Sequence, residues 1–191
     1  CSAEVKCRSE DASKPVRTSA VRLMAPSPTY TNKQIVVVIP NVKKPMPLFI
    51  VMRALGILSD KSIIEICILN LNKYNNLMEL FIPSIHDVHG IYTQENAIDY
   101  IKEFTKEKTS IKVLDILSNL FLTQIGELDF ERKAYYLGFM VFKMLMVYTK
   151  NESPTDRDNY KYKRIELTGT LLYDLFKEYY TLQQRNIYQK I

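Results

Sequence analysis

The sequence predicts an α+β fold that is mainly helical, with a small antiparallel sheet at the N-terminal end followed by a helical bundle. Three observations predict it. Residues 35–39 read Ile-Val-Val-Val-Ile, five β-branched residues in a row closed by Pro40, which is the pattern of a buried strand. After Pro45 and Pro47 the apolar residues recur at the spacing of three and four that lines one face of a helix. Residues 131–148 then make the longest apolar helix, one that runs through the core.

Residues 1–33 are rich in Ser, Lys, Arg, Thr and Pro, with alternation at Val21 and Leu23 and a trace of it at Val5. They read as extended chain with one strand at 20–24. Pro26 and Pro28 mark a turn, so that the strands at 20–24 and 35–39 pair as a hairpin. Phe49, Met52 and Arg53 begin a helical turn that Gly56 can end. Asp60 caps the next helix, where Ile63, Ile64, Ile66, Cys67 and Ile68 imply burial. Leu77, Leu80 and Phe81 suggest a short helix stopped at Pro83. Thr93 caps another, with Ala97, Ile98, Ile101 and Phe104 on one face. Ile111, Leu114, Ile116, Leu117, Leu120 and Phe121 make one more. A polar interruption at 150–164 contains Pro154. Past it, Leu171, Leu172, Leu175, Phe176, Tyr179, Leu182 and Ile187 draw an apolar stripe along a long helix. That helix either docks on the preceding ones or belongs with a neighbouring domain. The division is residues 1–150 as the sheet and bundle, and residues 151–191 as a charged connector with the long helix.

With 191 residues, 47% hydrophobic and 25% charged, the composition is that of an ordinary globular protein. The chain opens on Cys1, without a basic region followed by an apolar run, which suggests a segment of a longer protein and no signal peptide. No stretch reaches the roughly 20 apolar residues of a membrane span; residues 134–148 come closest, but are too short and carry Lys143. The three cysteines, Cys1, Cys7 and Cys67, form no C-x-x-C pair, so they indicate neither a disulfide scaffold nor a zinc site. Reduced thiols in an intracellular protein fit best. A net charge of +5 attracts polyanions, though only mildly.

The five glycines lie far apart, which excludes a P-loop or a dinucleotide fingerprint in this segment. No G-x-S-x-G elbow occurs. His86 and His89 flank Asp87 in a stretch that reads as a loop; with an incomplete ligand set they read as solvent-exposed histidines rather than metal ligands. Lys43, Lys44 and Arg53 read as a solvated turn. Tyr135, Tyr136, Phe139, Met140, Phe142, Met144 and Met146 read as core packing. One cluster stands out: Thr155-Asp156-Arg157-Asp158-Asn159-Tyr160-Lys161-Tyr162-Lys163-Arg164. Its cations suit phosphates and its tyrosines can stack on a base or sugar. The competing structural reading pairs Asp156 and Asp158 with Arg157 and Arg164 to order a turn between helices.

The segment from Asp156 to Gly169 resembles a signature of the second-largest subunit of multisubunit DNA-dependent RNA polymerases, which reads approximately D-R-D-H-F/Y-G-x-K-R-L/I-D-L-A-G. Two further blocks agree in order and spacing. Pro45-Met46-Pro47-Leu48-Phe49-Ile50-Val51-Met52-Arg53-Ala54-Leu55-Gly56-Ile57, followed by Asp60, is similar to the family's P-I/M-x-x-x-x-R-A-L-G block. Glu131-Arg132-Lys133-Ala134-Tyr135-Tyr136-Leu137-Gly138-Phe139-Met140 is similar to its R-K-A-x-x-L-G-Y-M helix. Ser13-Lys14-Pro15 stands in the expected place. Asn159 replaces the family's His and Lys161 its Gly, which implies a differently shaped turn.

The resemblance implies a lobe domain, a small sheet and then helices, forming one jaw over the downstream DNA cleft. The long helix would return towards the neighbouring protrusion domain. It implies no catalytic residue here. Magnesium, held mainly by aspartates of the largest subunit, and a C-terminal zinc site are expected elsewhere in the parent complex. Arg157, Lys161, Lys163 and Arg164 are the expected phosphate contacts. The expected partners are other polymerase subunits, chiefly the largest, with the DNA template and transcription factors on the lobe surface, and no membrane. The richness in Ile, Asn, Lys and Tyr suggests an AT-rich genome and a large DNA virus, hence a viral cytoplasmic factory or virion, and otherwise the nucleus. The alternatives are an independent helical protein–protein interaction module and a metal-dependent hydrolase built on His86 and His89.

Overall fold

The computed structural model describes residues 1–7, 17–26, 33–71, 73–156, 158–163, 165 and 167–189. The fold is α+β, as expected. Four antiparallel strands, β1 (Ser2–Cys7), β2 (Arg17–Met24), β3 (Gln34–Val38) and β4 (Met46–Pro47), form one sheet in the order β1-β2-β3-β4. The β2–β3 hairpin has Ala20 opposite Val38 and Met24 opposite Gln34. Its turn, including Pro28 and all but Pro26 of the expected signal, lies outside the described residues. So does Ser13-Lys14-Pro15.

Ile35, Val36 and Val37 of β3 are all fully buried. Successive side chains of a strand point to opposite faces, so both faces of the sheet are covered there. This is why β3 reads as an unbroken apolar run rather than an alternating one. β1 and β4 correct the expectation of a two-stranded hairpin. The region 1–33 contains two strands, not one, and Met46 adds a short fourth strand beside Val37.

Helices follow from Pro47 onward. α1 (Leu48–Ala54) is buried along its whole length. Gly56 closes the turn after it at φ +101°, a conformation that favours glycine. α2 (Asp60–Ile68) buries Ile63, Cys67 and Ile68. Its N-cap is Ser59, not Asp60; Asp60 is the first helical residue and is drawn instead to Arg53. A 3₁₀ helix (Asn75–Leu80) then leads into α3 (Ile82–His86). Pro83 therefore opens a helix rather than stopping one, since a proline in the first turn has no partner for an N–H to lose. His86 ends that helix and His89 lies in the turn after it; both are exposed.

Thr93 caps α4 (Gln94–Lys102), its hydroxyl accepting from Asn96 N at 3.3 Å. α5 (Ser110–Asn119) buries Val113, Ile116 and Leu117, while Ile111 and Leu114 stay exposed, so the buried stripe is narrower than expected. α6 (Phe130–Tyr148) is the central helix. Ala134, Leu137, Gly138, Val141, Met144 and Leu145 mark its buried face, and it covers β1, β2 and α2. Tyr135 and Phe139, expected in the core, are about half exposed, while Met140, Met144 and Met146 are buried. α7 (Thr168–Tyr188) has no buried residue. Of the two outcomes considered for it, docking on the preceding helices is not the one adopted: Leu171, Leu172, Leu175, Phe176, Tyr179, Leu182 and Ile187 all remain exposed.

Candidate nucleic-acid interface

The polar segment after α6 is tied back to that helix. Lys143 Nζ donates to Glu152 Oε1 at 2.7 Å, and the amides of Asn151 and Glu152 both donate to the carbonyl of Met146. Beyond Pro154 two side chains organise the backbone. Asp156 Oδ1 accepts from Asp158 N at 3.0 Å, and Asn159 Oδ1 accepts from Lys161 N at 3.0 Å. Short Asp and Asn side chains make such turns because they reach an amide two residues on. The second turn starts a 3₁₀ helix, Tyr160–Tyr162.

On this frame Lys163 Nζ lies 3.4 Å from Asp158 Oδ1 and 5.9 Å from the centre of the Tyr160 ring. Tyr160 itself is 77% exposed. A lysine ammonium beside an open aromatic face can meet a phosphate with the one and a base or sugar with the other. Lys161 is also exposed and sits at the centre of the 3₁₀ helix. It is not among the residues with positive φ, so the position where the family has glycine does not need one in this chain. Arg157 and Arg164 lie outside the described residues. The competing structural reading, which pairs Asp156 and Asp158 with Arg157 and Arg164, falls on arginines outside the described residues; among the described residues Asp158 pairs with Lys163.

The other polar groups singled out have structural roles. Arg53, expected in a solvated turn, is only 2% exposed. Its guanidinium donates to Asp60 Oδ1 and to the carbonyl of Ile91, and it stands 5.2 Å from the Tyr92 ring centre. Burial is tolerated because a planar guanidinium can satisfy several acceptors at once. Lys133, fully buried, donates to the carbonyls of Leu117 and Ser118 at 2.7 Å and of Glu127 at 3.2 Å. It thereby closes the C-terminal end of α5, and burial lowers its pKa to about 8. Asp87 accepts from Gln34 Nε2 at 2.5 Å, and His89 Nδ1 is 3.2 Å from the Tyr92 hydroxyl. Among the described residues no group of three His, Cys, Asp or Glu side chains is placed to hold a metal. No helix among them is long and apolar enough to cross a membrane.

Sequence reasoning left one grouping unseen. Lys43 N donates to Phe104 O at 3.0 Å, which brings Lys43 and Lys44 beside the loop carrying Lys106 and Lys108. The lysines at 106 and 108 were visible, but nothing local joins them to the prolines 60 residues earlier.

A small sheet, a helical bundle and the three blocks at α1, α6 and the polar turn are what the resemblance implies for a domain of a multisubunit polymerase. Residues 27–166 match the family model "RNA polymerase Rpb2, domain 2", and the chain belongs to that family, as a segment of a second-largest RNA polymerase subunit. It is 31% identical over 195 residues to DNA-directed RNA polymerase II subunit RPB2 of Schizosaccharomyces pombe, covering 98% of this chain and 16% of that one. The DNA-directed RNA polymerase II subunit 2 of Arabidopsis thaliana is 32% identical over 200 residues, 96% of this chain and 16% of that one. An archaeal relative, DNA-directed RNA polymerase subunit Rpo2 of Saccharolobus solfataricus, is 34% identical over 145 residues, 72% of this chain and 12% of that one. The chain thus spans about one sixth of the length of these two eukaryotic relatives. These relatives are cellular.

Proposed function

We propose that this chain is a lobe segment that helps line the DNA cleft of a DNA-directed RNA polymerase and takes no part in bond making itself. The enzyme as a whole transfers nucleotides onto RNA; this part holds nucleic acid and neighbouring proteins. Arg157, Lys161, Lys163 and Arg164 serve as phosphate contacts. The largest subunit, template DNA and transcription factors are its partners, and the nucleus is its place in a eukaryotic cell. A viral factory would replace the nucleus if the source is a DNA virus. The observation that carries the reading is the exposed Tyr160 ring beside Lys163, in the most polar of the three family blocks.

The exposed apolar side of α7 supports a second contact in the same reading. It fits a helix covered by the adjoining protrusion part of the subunit.

The test uses the assembled enzyme carrying Lys163→Ala and Arg164→Ala. Equilibrium binding to duplex DNA is followed across a salt series. Each lost phosphate contact flattens the slope of log K against log salt by about 0.9. The deficit is then greatest at low salt. An unchanged slope in an enzyme that still assembles removes these residues from the DNA contact.

A further inference from the structure

The hydrogen bond from Lys43 N to Phe104 O, at 3.0 Å, joins two loops that are remote in sequence. One is the turn 41–45 between β3 and β4. The other is the segment 103–109 between α4 and α5. The second loop is held at both ends. Asp99 Oδ1 accepts from Lys102 Nζ at 2.6 Å and from the Ser110 hydroxyl at 3.4 Å, so the end of α4 is fastened to the start of α5. Lys108 takes a left-handed backbone, φ +46°, which is uncommon for a residue with a side chain and turns the loop sharply.

The charges divide into two groups. Lys102 is matched by Asp99, and the hydrogen bond between them holds the Asp99 carboxyl below its usual range. Lys112 is matched by Asp115 at 3.1 Å and Glu107 at 3.9 Å. Lys43, Lys44, Lys106 and Lys108 are exposed and, among the described residues, none of them makes an ion pair with an acid. Glu103 is the acid of this loop not engaged by Lys102 or Lys112. Lys44 Nζ instead stands 5.3 Å from the centre of the Phe104 ring, whose partner at 5.4 Å is Tyr100.

We propose that these adjoining loops form a second nucleic-acid surface, in which Lys43, Lys44, Lys106 and Lys108 meet successive phosphates of a duplex backbone. The loops lie in parts of the chain far from the polar turn at 156–163. Lysine is a compact point charge on a flexible stem, suited to following a backbone without reading sequence. A nucleic acid fits better than an acidic protein tail for two reasons. No arginine stands in the cluster to grip carboxylates with a bidentate fork, and the ammoniums are spread over two loops rather than gathered round one point. The inference rests on the reading of the chain as part of a DNA-handling enzyme.

The experiment is a salt series on the full-length subunit in its assembled enzyme, with Lys43, Lys44, Lys106 and Lys108 all changed to Gln. All four are exposed, so folding is retained. The probes are a 30-base-pair duplex of arbitrary sequence and polyglutamate. The expected result is a slope of log K against log salt flattened by about 0.9 for each lysine on a phosphate, the same for unrelated sequences. A slope unchanged for DNA overturns the proposal. So does a variant that keeps its DNA slope and loses polyglutamate. Co-purification of the wild-type chain with the other subunits tests the broader reading separately; an enzyme that assembles while the quadruple variant keeps its DNA slope overturns this proposal alone.

Discussion

The guanidinium of Arg53, in the last turn of α1, donates to the carboxylate of Asp60, the first residue of α2, across the turn that Gly56 makes at φ +101°. The same group donates to the carbonyl of Ile91. One side chain therefore sets the angle between two helices and fastens the loop before α4. Arg53→Met removes the pair and leaves a carbonyl without its donor. The expected cost is about 3 kcal/mol, as for a broken buried ion pair. Urea unfolding of the protein measures it, and Asp60→Asn should also destabilise, because it leaves the buried guanidinium without its counter-charge.

Gly138 lies where α6 crosses α2. A methyl group added there would stand 2.6 Å from Ile66 Cγ2 and 2.9 Å from the backbone oxygen of Ile66. The side-chain atom can move, but the carbonyl belongs to a helix. Gly138→Ala is expected to lower stability by about 1–3 kcal/mol, as overpacking does, despite alanine's better helix propensity. An unchanged unfolding midpoint would show that the two helices can separate freely.

The folded pKa of Lys133, about 8, lies below its ordinary 10.5. Between those values the unfolded chain binds the proton more than the folded one does. Stability therefore gains with rising pH through that window from this group. The unfolding midpoint of the wild type, measured against that of Lys133→Met, should rise between pH 7.5 and 10. A flat difference would mean the amine titrates normally.

Burial pushes the Cys67 thiol up to about 12, and Cys7 is buried as well, while Cys1 is exposed. A thiol reagent applied to the native protein at pH 8 should label Cys1 alone, with the other two appearing only on unfolding. Rapid labelling of Cys67 in the native protein would contradict the packing of α2.

Much of this fold was legible because its signals are local. Five β-branched residues name β3, Thr93 caps α4 as its hydroxyl allows, and the long apolar run of α6 has no other reading. What was missed depends on distant partners. β4 is two residues long and exists only because Val37 is there to pair with Met46. Arg53 looked solvated because a lone charge usually is, and Asp60 and Ile91 O reach it only through the fold. Pro83 looked like a stop because nothing nearby announced that the turn before it would end there. In the candidate site, Lys161 and Lys163 were legible from composition, and the Asx turns holding them follow from Asp156 and Asn159. The lysines at 43, 44, 106 and 108 were not, since a single backbone hydrogen bond unites them.

The sheet rests on a helix made much later. Cys1 Sγ reaches the carbonyl of Met144 at 3.6 Å, and α6 covers β1 and β2. On the ribosome those strands emerge roughly a hundred residues before the helix that shields them. At about 5–20 residues per second, that leaves their apolar side uncovered for on the order of ten seconds. During that interval a nascent hairpin of Val and Ile is a substrate for chaperones and for pairing with its neighbours on the same message.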